Sequence, residues 1–142
     1  MPKTRECQRC HKKRILSQFS PRGTVCKPCQ KTGAYNRAKD VRLRETYGID
    51  LDEYHQILAM QNGRCAICAG KRSVYDVDHS HSAERAYLES GLDAPQAARL
   101  SVRGLLCRRC NRRLLTAATD NPDTLRAAAT YLEQPPAHLV LK

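Results

Sequence analysis

Residues 77–81 read VDHSH, which places one carboxylate and two imidazoles in a row of four behind a short apolar run. An aspartate beside a histidine can hold a hard cation and take a proton from water, the two halves of a hydrolytic site. A solvated loop with no task is the plain alternative. What brackets the string favours chemistry: CAIC lies upstream at 65–68 and CRRCN downstream at 107–111. Cys65, Cys68, Cys107 and Cys110 thus form two CxxC pairs, a donor set for tetrahedral zinc. Cys7, Cys10, Cys26 and Cys29 form another in a C-x2-C-x15-C-x2-C pattern, the spacing of a zinc ribbon.

Spacing does not decide which cysteines share an ion. Sequential pairing, 7/10/26/29 and 65/68/107/110, closes the shorter loops and costs less chain entropy. A disulfide framework is the competing reading. The first residues, MPKTRECQRCHKKR, carry no apolar segment of the secretory kind. No run of about 18 apolar residues occurs, so no membrane span is expected. These features predict a reducing, cytoplasmic setting, where CxxC pairs read as metal ligands. His11, beside Cys10, reads as a surface residue of the knuckle rather than a substitute ligand.

A chain of 142 residues with no Trp and one Phe has little apolar bulk, so metal would have to brace it. Charge is unevenly placed. Residues 1–47 hold 13 Lys+Arg against 3 Asp+Glu, a net of +10, whereas residues 48–142 carry a net of +1. Two tetrathiolate zinc sites at −2 each would lower the formal +11 to about +7, with the arm still basic. A basic arm on a near-neutral body points to a polyanion, most simply nucleic acid. Lys12, Lys13, Arg14, Arg37, Lys39, Arg42 and Arg44 are the candidate phosphate contacts.

The elements that position these residues follow from patterning. Phe19 is the expected apolar plug of the first cysteine module. Residues 31–47 read as a basic helix with Tyr35, Ala38, Val41 (or Arg42) and Tyr47 near helical spacing, stopped by Gly48. Residues 50–63 read as a second helix: Asp50 and Glu53 have capping-box spacing, and Leu51, Tyr54, Ile57, Leu58 and Gln61 trace one face. His55 falls on its surface. SVYDVD (73–78) and SVRGLL (101–106) read as paired strands, joined by a long connector with one or two helical turns broken near Gly91 and Pro95. Residues 110–119 read as a helix packing Leu114, Leu115 and Ala118 inward. Asn121-Pro122 caps a last helix, and PPAHLVLK, with His138, is a tail.

The second cysteine set would hold both ends of the hairpin, with Asn111 opening the helix beyond it. Asp78 and Asn111 would then offer oxygen donors to magnesium, and His79 a near-neutral base. A straight strand points residues 78 and 79 to opposite faces, so the strand must end or bend there for both to serve one site.

CAIC, VDHSH, VRGLLCRRCN and TLRAAATYL, in that order over roughly residues 47–133, resemble the phage recombination endonuclease VII family, a branch of the HNH, or ββα-metal, His-Me finger nucleases. The resemblance implies structural zinc on Cys65, Cys68, Cys107 and Cys110, catalytic magnesium (or manganese) on Asp78 and Asn111, and His79 as general base. It leaves His81 either orienting phosphate or solvated, and Arg103 either on phosphate or simply outward-facing. Two departures stand out: the 82–100 connector is longer than the family's tight loop, and little chain follows the 123–133 helix. Junction-resolving members are dimers with an extended helical C-terminal part, so a homodimer stays open here.

The sequence thus predicts an α+β protein: a zinc-ribbon-like module (1–32), a basic linker helix (33–48), a zinc-stabilised ββα-metal core (49–134) and a tail (135–142). Its expected function is metal-dependent cleavage of DNA phosphodiesters, on branched or junction DNA. The alternatives are an HNH nicking, homing-like or packaging-associated nuclease on duplex DNA, and a non-enzymatic double-zinc nucleic-acid-binding module.

Overall fold

The computed structural model describes residues 2–141. It has the expected α+β class, with two antiparallel two-stranded sheets among helices and two four-cysteine clusters suited to zinc. Strands β1 (Thr4–Glu6) and β2 (Lys13–Ile15) form the first hairpin. Phe19, 5% exposed, packs there with Cys7 and Cys26 in a small core of its own.

Helix α1 (Lys27–Tyr47) starts earlier than the sequence pattern indicates, with Cys26 as its N-cap and Pro28 in its first turn. The expected apolar face is not the buried one: Tyr35 and Val41 are 57% and 52% exposed, and the buried positions are Gly33 and Leu43. The covered stripe runs through Cys29, Gly33, Asn36, Asp40, Leu43 and Tyr47 at helical spacing, and because most of these are small or polar, hydropathy does not mark it. Gly48 ends it at φ 63°, and a Cβ there would lie 2.3 Å from the Pro95 carbonyl oxygen. Glycine is required twice over, for the left-handed turn and for the close approach.

Helix α2 (Leu51–Met60) carries the expected capping box: Asp50 accepts from the Glu53 N–H at 2.8 Å and Glu53 accepts from the Asp50 N–H at 2.9 Å. Tyr54 is buried on it, flanked by half-buried Leu51, Ile57 and Leu58. The first strand of the second hairpin, β3, spans Asp76–His79 rather than 73–78. The chain before it is held as a turn: the Tyr75 hydroxyl donates to Gly63 O at 2.8 Å and accepts from Arg72 N at 2.7 Å.

The connector is more ordered than one or two turns. It forms α3 (His81–Glu89) and α4 (Ala94–Ser101), which pack on each other, with α4 also against α1. β4 (Val102–Leu106) returns along β3. Residues 110–115 form a π-helical stretch, in which Cys110 is buried, Leu115 half-buried and Leu114 42% exposed, so Leu114 does not pack inward. Ala118 is buried as expected. α5 (Pro122–Glu133) opens on Asn121, whose side chain accepts from the Asp123 and Thr124 N–H groups.

The main core gathers Leu43, Ile49, Tyr54, Tyr75, Val77, Leu105 and Leu106 around the second cysteine cluster. Leu105 is fully buried, so truncating it to alanine would cost about 2–5 kcal/mol. The side chain of Gln61 adds what a neighbouring strand would: it donates to Leu105 O at 2.8 Å and accepts from Leu105 N at 2.8 Å.

Candidate active site and cysteine clusters

The cysteines pair sequentially, Cys7/Cys10/Cys26/Cys29 and Cys65/Cys68/Cys107/Cys110. Cys10 and Cys26 sulfurs are 4.0 Å apart, and Cys68 and Cys107 sulfurs 3.7 Å. A tetrahedron of zinc–sulfur bonds has edges of roughly 3.8 Å, whereas a disulfide needs about 2.0 Å. Backbone N–H groups already aim at the sulfurs: Cys26 N reaches Cys7 Sγ at 3.3 Å and Cys107 N reaches Cys65 Sγ at 3.3 Å. The N–H of Cys26 lowers the Cys7 thiol to about 6. Burial opposes ionisation of Cys65, yet the N–H groups of Cys107, Cys68 and Ile67 outweigh it and bring that thiol to about 6. In each cluster one thiol is driven the other way. Cys29 rises to about 12, chiefly through the thiols of Cys26 and Cys10; Cys110 rises to about 12 through burial first and then its sulfur neighbours. Four thiolates at this spacing need a cation to coexist. His11 stands outside the set, exposed and 3.6 Å from Glu6.

The hairpin solves the problem of two adjacent residues serving one face. Asp78 pairs with Gly104 and His79 with Val102, so the register shifts between them and Arg103 is the extra residue of β4. Such a bulge bends the strand and re-aims side chains. Asp78, His79, His81, Arg103 and Asn111 accordingly line one cavity of about 430 Å³. Tyr47, Arg112 and Asp120 complete its polar wall.

Asp78 is only 7% exposed, and Arg103 grips it twice, Nε to Oδ2 and Nη2 to Oδ1, both at 2.8 Å. Arg103 also donates to Asp120 at 3.1 Å. His79 sits with its ring edge-on to Tyr47, centroids 5.4 Å apart, and to His81 at 4.3 Å. Burial pushes the His79 imidazole below its ordinary range, with the charge of His81 adding and that of Glu84 opposing. Asn111 stands at the start of the π-helical stretch, one residue past the fourth cysteine of the second cluster.

A second cavity of about 340 Å³ shares Tyr47, Val77, Asn111 and Arg112 with the first and runs to Tyr35, Lys39 and Arg42 on α1. The basic residues divide accordingly. Lys12, Lys13, Arg37 and Arg42 are exposed. Lys39 lies over the Tyr54 ring at 3.5 Å, and Arg44 is tied to Asp40 at 2.9 Å and to Asp50 at 3.5 Å. Arg14 is half-buried. Sequence reasoning did not single out Glu84, Asp120, Tyr47 or Arg112. Glu84 lies one helical turn after His81, a spacing visible once α3 is known; nothing local marks Asp120.

A bulged hairpin, a following helix and a cysteine cluster that fastens both define a small cysteine-braced ββα protein. Residues 39–134 match the model of recombination endonuclease VII, and the chain belongs to that family. It is 39% identical over 105 residues to the Gene 59 protein of Mycobacterium phage D29, covering 72% of this chain and 54% of that protein. It is 37% identical over 114 residues to the Gene 59 protein of Mycobacterium phage L5, covering 78% and 60%. The chain thus spans little more than half the length of these curated relatives. No solved structure matches it.

Proposed function

We propose that the chain is a metal-dependent, HNH-type DNA endonuclease that hydrolyses phosphodiester bonds, with branched or junction DNA as its substrate. The observation that carries this reading is the gathering of Asp78, His79, Asn111 and Arg103 around one cavity. The donor chemistry fits magnesium, since the Asp78 carboxylate and Asn111 amide are hard oxygen donors. When bound, the ion would stabilise charge on the phosphate and the departing oxygen. His79 accepts the proton of the attacking water, the water oxygen bonds to phosphorus, and the opposite P–O bond breaks. Tyr47 supports the His79 ring from the side. Arg103, released from Asp78, faces the phosphate, and His81 orients it.

The two cysteine clusters hold structural zinc in this reading, and the 1–32 module, the 33–48 helix and the 49–134 core share the work of binding and cutting. The second cavity supports α1 as a path for the DNA backbone, since it joins the catalytic residues to Arg42. Phage relatives favour action in the host cytoplasm. Among the described residues, no helix is long and apolar enough to cross a membrane. A homodimer belongs to the proposal: Tyr131 and Leu132 on α5 are 60% and 75% exposed, apolar side chains a second copy could cover, and light scattering measures its mass.

The test is cleavage of a four-way junction beside a matched linear duplex, with and without magnesium. Preferential cutting of the junction supports the reading. Equal or preferred cutting of the duplex favours a nicking, homing-like or packaging-associated nuclease. Binding without cleavage in magnesium or manganese leaves a double-zinc binding module.

A further inference from the structure

Two histidines of the cavity also belong to a second set of donors, completed by Glu84, which has no part in the hydrolysis. His79, His81 and Glu84 each offer one ligand atom, all within 4.8 Å of one another. His79 Nε2 and Glu84 Oε2 are 3.8 Å apart. Donors around a tetrahedral zinc, at bonds of about 2.0–2.2 Å, lie roughly 3.4 Å apart, so the His79–Glu84 pair is a few tenths of an ångström from bonding distance and no pair in the set needs to close by more than about 1.4 Å. The donors are held by fixed elements. His79 ends β3, His81 opens α3, and Glu84 follows on the same face of that helix. Ser80, between the histidines, donates its N–H to Ser101 O at 2.9 Å and accepts from the Ala83 N–H at 3.2 Å. α4 braces α3, and Arg99 of α4 donates to Glu53 at 2.9 Å and to Gly48 O at 3.1 Å.

Two imidazoles and a carboxylate suit a borderline ion, whereas the oxygens of Asp78 and Asn111 suit a hard one. We propose that His79, His81 and Glu84 form a third metal site, for zinc rather than magnesium, and that its occupation takes the His79 imidazole out of catalysis. A ring nitrogen bonded to an ion has no lone pair for the proton of water, so zinc acts as a brake. The binding half stands on the donors alone; the brake rests on the nuclease reading.

Equilibrium dialysis of the full chain against zinc, with magnesium in excess, tests the site. The expected result is two tightly held zinc ions and a weaker third. Glu84→Gln and His81→Asn should each weaken the third by about 100-fold or more while retaining the other two, which also reports that the variants are folded. Cobalt(II) added to protein already holding two zinc ions should give visible bands without sulfur charge transfer. Only two zinc ions in the unaltered protein, or a third of unchanged affinity in both variants, overturns the site. In cleavage assays with excess magnesium, zinc should slow the unaltered protein, and Glu84→Gln should need about 100-fold more zinc for the same fractional loss. A third zinc that binds without slowing cleavage overturns the brake. A protein that cuts no DNA under any metal overturns the nuclease reading and leaves the dialysis result to decide the site.

Discussion

Arg103 closes a two-point ion pair on Asp78, with both contacts at 2.8 Å and the Asp78 side chain 10% exposed. A cation that shares this carboxylate meets a guanidinium already in place. Arg103→Ala should therefore destabilise the metal-free protein by about 1–3 kcal/mol, since it leaves a buried charge without its partner. The same variant should gain more from added magnesium than the unaltered protein does. Thermal melts with and without magnesium check both signs, and an identical magnesium effect in the two proteins would refute competition.

Catalysis and binding should separate. His79→Ala should lower the cleavage rate by about 10²–10⁴-fold, the usual cost of losing a positioned base. Asp78→Ala should also abolish the magnesium response, and Asn111→Ala should weaken it less, as a neutral ligand. All three should bind DNA nearly as before, since the contacts that position the backbone come from Lys and Arg elsewhere. Rates and affinities measured on the same duplex decide it; His79→Ala cutting at the full rate would move the role of base to His81.

The acidic limb of the pH–rate profile should fall below the ordinary imidazole range, because burial depresses the His79 pKa. Glu84 opposes that depression, so Glu84→Gln should move the limb to still lower pH. The stability effect has a definite sign. Below the imidazole's ordinary 6.5, the unfolded chain binds the proton more readily than the folded one. This group's contribution is thus full above that pH and is lost as pH falls toward the lower folded value. A limb at or above 6.5 contradicts the burial argument.

Elemental analysis should find two zinc ions per chain after removal of loosely bound metal. Cys107→Ser should cost more activity than Cys26→Ser, because the second cluster fastens α2, β4 and the Asn111 turn while the first fastens Phe19 and the ribbon. Equal losses would show that the ribbon is as much a part of the catalytic fold as the hairpin.

Neutralising the arm should flatten the salt dependence of DNA binding. Lys12→Gln, Lys13→Gln, Arg37→Gln and Arg42→Gln together should reduce the slope by up to about 4, near one unit for each phosphate left without its cation. Deleting residues 1–46 is a poorer test, because Leu43 belongs to the main core. An unchanged slope in the substituted protein removes these side chains from the interface.

The residues that gather in the cysteine clusters and the cavity were legible because their types and order are unusual: two paired CxxC sets, Asp78-His79 and an asparagine just past the last cysteine. The capping box at Asp50 and the first-turn place of Pro122 were legible because they act within a few residues. The bulge was not. Alternation in VRGLL gives the parity of a strand but says nothing of one extra residue at Arg103, which depends on how β3 is met from across the sheet. Nor was the buried side of α1, where Leu43 rather than Tyr35 or Val41 is covered, because its stripe of Gly33, Asn36, Asp40 and Leu43 is mostly small or polar and tertiary contacts decide it. Gln61 read as the polar end of an apolar face; its service to Leu105 needed the two segments in register.

The first helix also sets a length. Its 21 residues rise about 31 Å, close to the roughly 34 Å of one turn of B-form DNA. Its first turn carries Cys29 of one cysteine cluster, and its last residue, Tyr47, touches the ring of His79. A duplex lying along it would present the same groove face at both ends. The footprint should then extend about one helical turn to one side of the cut, and substrates trimmed inside that turn on that side alone should bind more weakly.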